Sequence, residues 1–404
     1  MSKNDAYTLL CGAPQEAQNR CLPVLSPFDE RALDFLADLS ALLLKDKAAR
    51  AYPDVITFAF FCRRANLLQL RQEYEGFLHD RVGRGLVFHI APSNVPVNFA
   101  YSLLTALLAG NASIVKASSQ NFPQTAIICA AMSTLLAGAH AGLAPYLSVI
   151  TYPREAPDIT EALSACCDVR IIWGGDETVR RVREAPLPPF AFDVAFADRY
   201  SLLCIAPQAV LAMDAEALSA MAKDFYNDTF ISDQNACTAP RLVYWLSDSA
   251  EDTRAAQERF WQAIHAYAST RYPIEPVVAV DKLTALYRAA ALLPGARQIP
   301  MPDNLILRIR IDALNEALLD FRCAGGCFLE YESASLDALL PLLERKVQTL
   351  SYLGADADSL RDFVREHGLR GVDRIVPLGK TMDFSLTWDG YDLIRTLSRR
   401  MQTL

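Results

Sequence analysis

Three side chains in this 404-residue chain stand where chemistry is commonly done. Cys237 lies in the polar run SDQNACT, residues 232–238, between a helical and a strand-like segment. An exposed thiol is expected there more than a buried filler. A thiol attacks as its thiolate, so with an ordinary pKa of about 8.5 it needs a site that lowers that value or works with a small ionised fraction. Asn94 sits between Pro92 and Pro96, just past an apolar run, where its amide can donate to an oxygen or merely stabilise a turn. Lys116 ends the next apolar run. Parallel sheets gather ligands at the carboxyl ends of their strands, which is where both of these residues fall. None of the five histidines, His79, His89, His140, His265 and His367, lies close to Cys237 in sequence. Spacing therefore neither shows nor excludes a Cys/His hydrolase. His89, near the end of the first strand, reads better as a packed structural imidazole.

The elements that must position these residues begin with residues 85–120. Residues 85–90 are apolar and rich in β-formers, which predicts a buried strand. Pro92 and Pro96 forbid a regular helix in the following loop. Asn98 is expected to cap an apolar helix that stops at Gly110–Asn111, and residues 112–117 return as a strand. Strand and helix then alternate: a helix at 124–136, strands at 146–152 and 169–173, a helix at 158–166, and a Gly174-Gly175-Asp176-Glu177-Thr178 turn opening another helix. Further strands are expected at 190–196 and 200–205. That alternation implies a doubly wound parallel sheet. A second α/β unit follows, with a helix at 214–229, strands at 241–246, 305–311, 327–331 and 347–352, and a long helix at 250–269. Before the sheet, residues 26–45 and 54–77 read as packing helices, with Ser26 as a cap, and residues 1–25 as loosely packed. Residues 392–401 look helical. No G-x-G-x-x-G follows any strand, so a generic dinucleotide fingerprint is absent.

The wording of these segments resembles a known family. Oxidising aldehyde dehydrogenases have a Pro-x-Asn-x-Pro loop, a helix, an Ala-Gly-Asn turn and a strand ending in Lys. Here Pro92-Ser93-Asn94-Val95-Pro96, Ala109-Gly110-Asn111 and Lys116 come in that order. The His-Ile-Ala-Pro-Ser-Asn-Val-Pro version, the segment Asp233-Gln234-Asn235-Ala236-Cys237-Thr238-Ala239-Pro240-Arg241, the stretch 371–380 and Trp388-Asp389-Gly390 more closely resemble the LuxC-type fatty acyl-CoA reductases, a reducing branch of that superfamily. The resemblance runs from about residue 85 to the end.

The resemblance implies an α/β, aldehyde-dehydrogenase-like fold: a parallel-sheet cofactor domain plus an α/β catalytic domain. It implies Cys237 as nucleophile and Asn94 as oxyanion donor. Lys116 would contact the adenosine ribose of a nicotinamide cofactor, and Gly175 would stand where a helix N-terminus meets it. NAD-preferring members carry a Glu three residues after that lysine; here the position is Ser119, so NADPH is favoured over NADH. The oxidising members' hydrolytic Glu is missing around Ala195-Phe196-Ala197-Asp198. Their second Glu, which contacts the nicotinamide ribose, has no counterpart in residues 321–326. Both departures speak against aldehyde oxidation.

Composition sets the outer bounds. With 52 % hydrophobic and 21 % charged residues the chain is an ordinary globular one, long enough for two or three domains. A net charge of −8 with no basic block argues against nucleic acid or an anionic membrane as partner. Ten scattered cysteines without a C-x-x-C fit a reducing cytoplasm and small buried hydrophobes. The first fifteen residues predict no signal peptide. Residues 126–150 lack Asp, Glu, Lys and Arg, yet their Ser, Thr, Gly and Pro predict helix, turn and strand in place of a membrane span.

The expectation is thus N-terminal helices and a cofactor-binding domain over 1–198, a catalytic domain over 199–379 and a tail over 380–404. The chain would reduce an acyl-CoA, or another acyl thioester donor, to the aldehyde with NADPH through an acyl-cysteine, with no metal. It would do so as a cytoplasmic homo-oligomer, with an acyl-transferring synthetase as a candidate partner. A small-substrate aldehyde oxidoreductase, a cofactor-free Cys acyltransferase or thioesterase, and a non-catalytic scaffold stay open.

Overall fold

The computed structural model describes residues 7–13 and 22–402. They fall into two compact units, one within 1–197 plus 384–404 and one within 198–383. The first unit is built on six strands: β1 (Thr8–Gly12), β2 (Leu86–Ile90), β3 (Ala112–Lys116), β4 (Leu147–Thr151), β5 (Val169–Trp173) and β6 (Phe192–Phe196). Their order is β1-β4-β3-β2-β5-β6, with β1 antiparallel to β4 and the rest parallel. From β2 the chain winds outward one way through β3 and β4, then the other way through β5 and β6. The carboxyl ends of β2 and β5 therefore flank a topological switch point, the usual ligand crevice of such sheets.

Every residue of β2 is buried, as is every residue from Phe99 to Leu108 in the helix Asn98–Leu108. That is why both read as near-continuous apolar runs. The Ala-Gly-Asn turn then closes the unit. Gly110 has φ 91, and a Cβ there would meet the Leu25 carbonyl oxygen at 2.2 Å. Asn111 Oδ1 accepts from the N–H groups of Arg84 (2.6 Å) and Gly85 (3.1 Å), while Nδ2 donates to the carbonyls of Ala106 (3.1 Å) and Leu397 (2.9 Å). One buried amide thus ties a helix end, a strand entry and the C-terminal segment.

The second unit holds seven strands: β7 (Tyr200–Ile205), β8 (Leu242–Leu246), β9 (Arg297–Ile299), β10 (Leu307–Arg310), β11 (Cys327–Ser333), β12 (Val347–Leu353) and β13 (Arg374–Pro377). The order is β9-β10-β11-β8-β7-β12-β13, parallel except for β9 against β10. Its core contains a buried ion pair. Arg308 Nε donates to Glu330 Oε1 at 2.6 Å, and the indole N–H groups of Trp245 (2.9 Å) and Trp261 (3.0 Å) donate to Oε2.

Several boundaries differ from the sequence expectation. The first long helix spans Glu30–Lys45 and is capped by Asp29, not Ser26, because Phe28 turns the chain at φ 55 and Asp29 accepts from the Arg31 N–H. The single helix expected over 54–77 is three: Pro53–Phe61, Arg64–Glu73 and Glu75–Leu78. Arg63 is extended, and the Asn66 amide satisfies the Phe61 carbonyl at the break. Asn98 is the first helical residue and not the cap; no side chain caps this helix. Within the loosely packed N-terminal stretch, residues 8–12 form an edge strand; 1–6 and 14–21 lie outside the described residues. The helix expected over 392–401 ends at Leu397, since Ser398–Arg400 pairs antiparallel with Arg81–Gly83 and Ser398 Oγ accepts from Arg81 Nε at 2.8 Å. Two helices, Pro276–Leu292 and Ala357–Glu366, were not expected. Residues 126–150 form helix, 3-10 turn and strand, and no described helix is long and apolar enough to cross a membrane.

Candidate active site

Cys237 lies half-buried on the loop between the helix Ala215–Thr229 and β8, at the amino ends of the second sheet's strands. Two successive non-glycine residues just before it, Asp233 (φ 50) and Gln234 (φ 58), are left-handed. Such a conformation costs on the order of 1–2 kcal/mol per residue and persists only where the surroundings impose it. Here the Gln234 side chain imposes it. Fully buried, it donates to the carbonyls of Pro240 (3.0 Å) and Cys327 (2.8 Å) and accepts from the N–H groups of Gly326 (3.1 Å) and Cys327 (3.0 Å). Asp233 adds its carbonyl to the Gly325 N–H at 2.9 Å. The loop is thereby stapled to the turn that opens β11.

Cys237 is held at its backbone and at its sulfur. Ser201 Oγ donates to the Cys237 carbonyl at 2.6 Å, and Gln348 Nε2 donates to Cys237 Sγ at 3.5 Å. Thr238 Oγ1 reaches Met382 Sδ at 3.4 Å. An amide aimed at the sulfur favours the thiolate over the thiol, as hydrogen bonding to a charged form does generally. The carboxylate of Asp198, just before β7, is tied to Arg322, and Lys346 lies 3.7 Å from it.

Asn94, Lys116, Ser119 and Gly175 all belong to the first unit, at the carboxyl ends of its strands. Asn94 is exposed on the loop after β2. Lys116 ends β3 beside Ile90, and Ile90 is beside Ile172 of β5. The Lys116 ammonium stands 5.1 Å from the Tyr152 ring centroid, and burial holds its pKa below the usual lysine value, with Arg181 and Arg154 adding to the effect. Ser119 is exposed two residues beyond the last buried position of the turn after β3. Gly175 is exposed at the start of the helix Asp176–Val182, whose first turn carries Asp176 and Glu177. His89 is a structural imidazole: it is fully buried, with Nδ1 on Ser102 Oγ (2.7 Å) and Nε2 on Ser113 Oγ (3.2 Å). Gln348 and Ser201 escaped the sequence reading, because no local pattern marks a side chain that meets its partner only across a sheet.

The match to known proteins completes this picture. Residues 13–284 match the family described as Acyl-CoA reductase (LuxC). The chain belongs to that family. A LuxC-family relative from Photorhabdus laumondii, named long-chain acyl-protein thioester reductase, is 25% identical over 320 residues, covering 78% of this chain and 62% of the relative. The chain thus spans less than two thirds of the relative's length. Among solved structures, a lactaldehyde dehydrogenase aligns with TM-score 0.67 at 12% identity, covering 96% of this chain and 87% of the other. The methylmalonate-semialdehyde dehydrogenase of Oceanimonas doudoroffii aligns with TM-score 0.64 at 14% identity, over 95% and 88%. This LuxC-family chain therefore has the aldehyde-dehydrogenase fold, as its motifs implied.

Proposed function

We propose that this chain reduces a long-chain acyl thioester to the aldehyde with NADPH through a covalent acyl-cysteine at Cys237. The observation that carries the reading is the Cys237 loop: two left-handed residues, a fully bonded Gln234 and an amide on the sulfur, in a chain of the acyl-CoA reductase family. The Cys237 thiolate attacks the acyl carbonyl, the carrier thiolate departs and takes a proton, and the acyl group is held as a new thioester. Exchange of one thioester for another is nearly thermoneutral, which suits a thiol nucleophile. Asn94 is the proposed donor to the oxyanion, a kind of contact whose removal commonly costs about 10²–10³ in rate. Bound NADPH supplies the hydride; Lys116, Ser119 and Gly175 are the residues proposed to hold it, at the sheet's switch point where the strand order favours a ligand. The thiohemiacetal alkoxide left by hydride addition re-forms its carbonyl, breaking the carbon–sulfur bond and releasing the aldehyde and the Cys237 thiolate that began the cycle.

The donor is acyl-CoA or a protein-bound acyl group, the latter supported by the relatives' names and consistent with an acyl-transferring synthetase as partner in a cytoplasmic homo-oligomer. Intact-protein mass spectrometry after incubation with acyl-CoA and no NADPH should show one acyl mass on the Cys237 peptide, absent in Cys237→Ala. NADPH absorbance should then fall with acyl-CoAs of graded length. An adduct that persists in Cys237→Ala would overturn the assignment, and an acyl-enzyme that NADPH never discharges would favour an acyltransferase.

A further inference from the structure

We propose that the helix Pro276–Leu292 is a contact surface for a second copy of this chain, the two helices packing antiparallel about a two-fold axis. The helix is amphipathic the wrong way round. It buries Lys282, Ala285 and Ala289, while Val277, Val280, Leu283, Tyr287 and Leu292 stand between 51% and 67% exposed. Twelve large apolar residues are exposed among the described residues, and five of them fall on this one helix, so the patch is not the ordinary scatter of a surface. Val277, Val280, Leu283 and Tyr287 follow one another at steps of three, three and four, which sets them on one side of the helix. The opposite side is already committed. Lys282 Nζ donates to the carbonyls of Asn304 and Leu305 at 2.9 Å each, and Ala285 and Ala289 pack in the apolar core of the second unit. Val278 lies against the Gly325 turn, where a Cβ on the glycine would meet Val278 Cγ1 at 2.4 Å. Held in this orientation from beneath, the helix keeps its large apolar side chains in water unless another molecule covers them.

The charges beside the patch select the occupant. Asp281 and Arg288 border it, both exposed and in no ion pair among the described residues. Two turns of helix separate them, about 10 Å. A two-fold axis crossing the helix between them brings Asp281 of one copy opposite Arg288 of the other, and the reverse, so both pairs form at once. A parallel pair would instead set each charge against its like. The patch is thus complementary to itself in one arrangement, which is what a contact between identical surfaces requires. None of these positions belongs to the proposed catalytic or cofactor site.

The test is the mass of the full chain in solution, by sedimentation from about 1 to 100 μM. The wild type should associate over this range. Val280→Glu should halve the mass of the assembly and leave far-ultraviolet circular dichroism unchanged, since that side chain is exposed. Asp281→Arg and Arg288→Asp should each weaken association about tenfold, because two surface ion pairs turn repulsive together. An equimolar mixture of these two variants should regain the wild-type affinity, since each copy then meets the opposite charge. A wild type that stays at the mass of one chain overturns the proposal and leaves the patch to a different protein. An assembly whose mass Val280→Glu does not change overturns it as well, and association that neither reversal weakens overturns the antiparallel pairing.

Discussion

Gln348, at the start of β12, points its side-chain amide at the sulfur of Cys237 from 111 residues away, donating at 3.5 Å. The amide is fully buried while the thiol is half-buried, so the donor is fixed and the sulfur is within reach of solvent. A fixed donor stabilises the thiolate at all times, including before substrate arrives. Replacing Gln348 with Leu should slow alkylation of Cys237 by iodoacetamide at pH 7 by about three- to tenfold, the worth of one hydrogen bond. The pH profile of alkylation should move upward. An unchanged profile would show that the contact is only structural.

Cofactor choice is the second expectation. Ser119→Glu should move preference from NADPH toward NADH, because a carboxylate near 4 Å from a 2′-phosphate costs roughly 1–4 kcal/mol across water-like and surface-like dielectrics. Nucleotide titrations read the ratio directly. A wild type that already prefers NADH would put Lys116 and Ser119 in the wrong role.

The acyl-enzyme should resist water. Activating water needs a positioned base worth about 10²–10⁴ in rate. No Glu lies between Glu184 and Glu216, and Asp198 is engaged by Arg322. Supplied with aldehyde and NADP, the chain should form acyl-CoA when CoA is present and little free acid when it is absent. Free acid as the main product without CoA would reveal a base elsewhere.

Stability of the second unit should hinge on Glu330. It is 1% exposed and accepts from Arg308, Trp245 and Trp261, so Glu330→Ala strands a buried guanidinium and two indole N–H groups. Losing one member of a buried pair costs about 3–5 kcal/mol. Urea unfolding should show a loss of that size, and one below about 1 kcal/mol would mean the site relaxes or admits water.

Two buried groups should bend the pH dependence of stability in opposite directions. Burial pushes the His89 imidazole down to about 3, below its unfolded value, so its neutral form is favoured in the fold and stability falls as pH drops below about 6.5. Burial pushes the Asp228 carboxyl up to about 6 despite the N–H donors of Gly379 and Thr381. Its contribution is complete below the unfolded value of about 3.9 and is lost as pH rises through 6. Asp228→Asn should therefore make stability rise more steeply with pH between 4 and 6 than in the wild type. Equal slopes in denaturant titrations at pH 4, 5 and 6 would contradict this.

Much of the molecule was legible without coordinates where the cause is local. The strand Val169–Trp173 ends where its apolar run ends, the Gly110–Asn111 stop follows from a positive φ that glycine adopts readily, and the polar setting of Cys237 already marked its loop. These features depend on backbone sterics and on which face of an element is apolar, and both are written over a few residues. The acyl-CoA reductase family was legible too, since ordered motifs carry it. The tertiary structure alone decided the rest. It turned residues 398–400 from helix to strand by offering Arg81–Gly83 as a partner, and it placed β2 beside β5 to make the switch point. It also brought Gln348 to Cys237 and Glu330 to Arg308 and two tryptophans. Pairing across a sheet and satisfaction of a buried polar group depend on which distant segment arrives opposite, and no spacing within the chain encodes that directly.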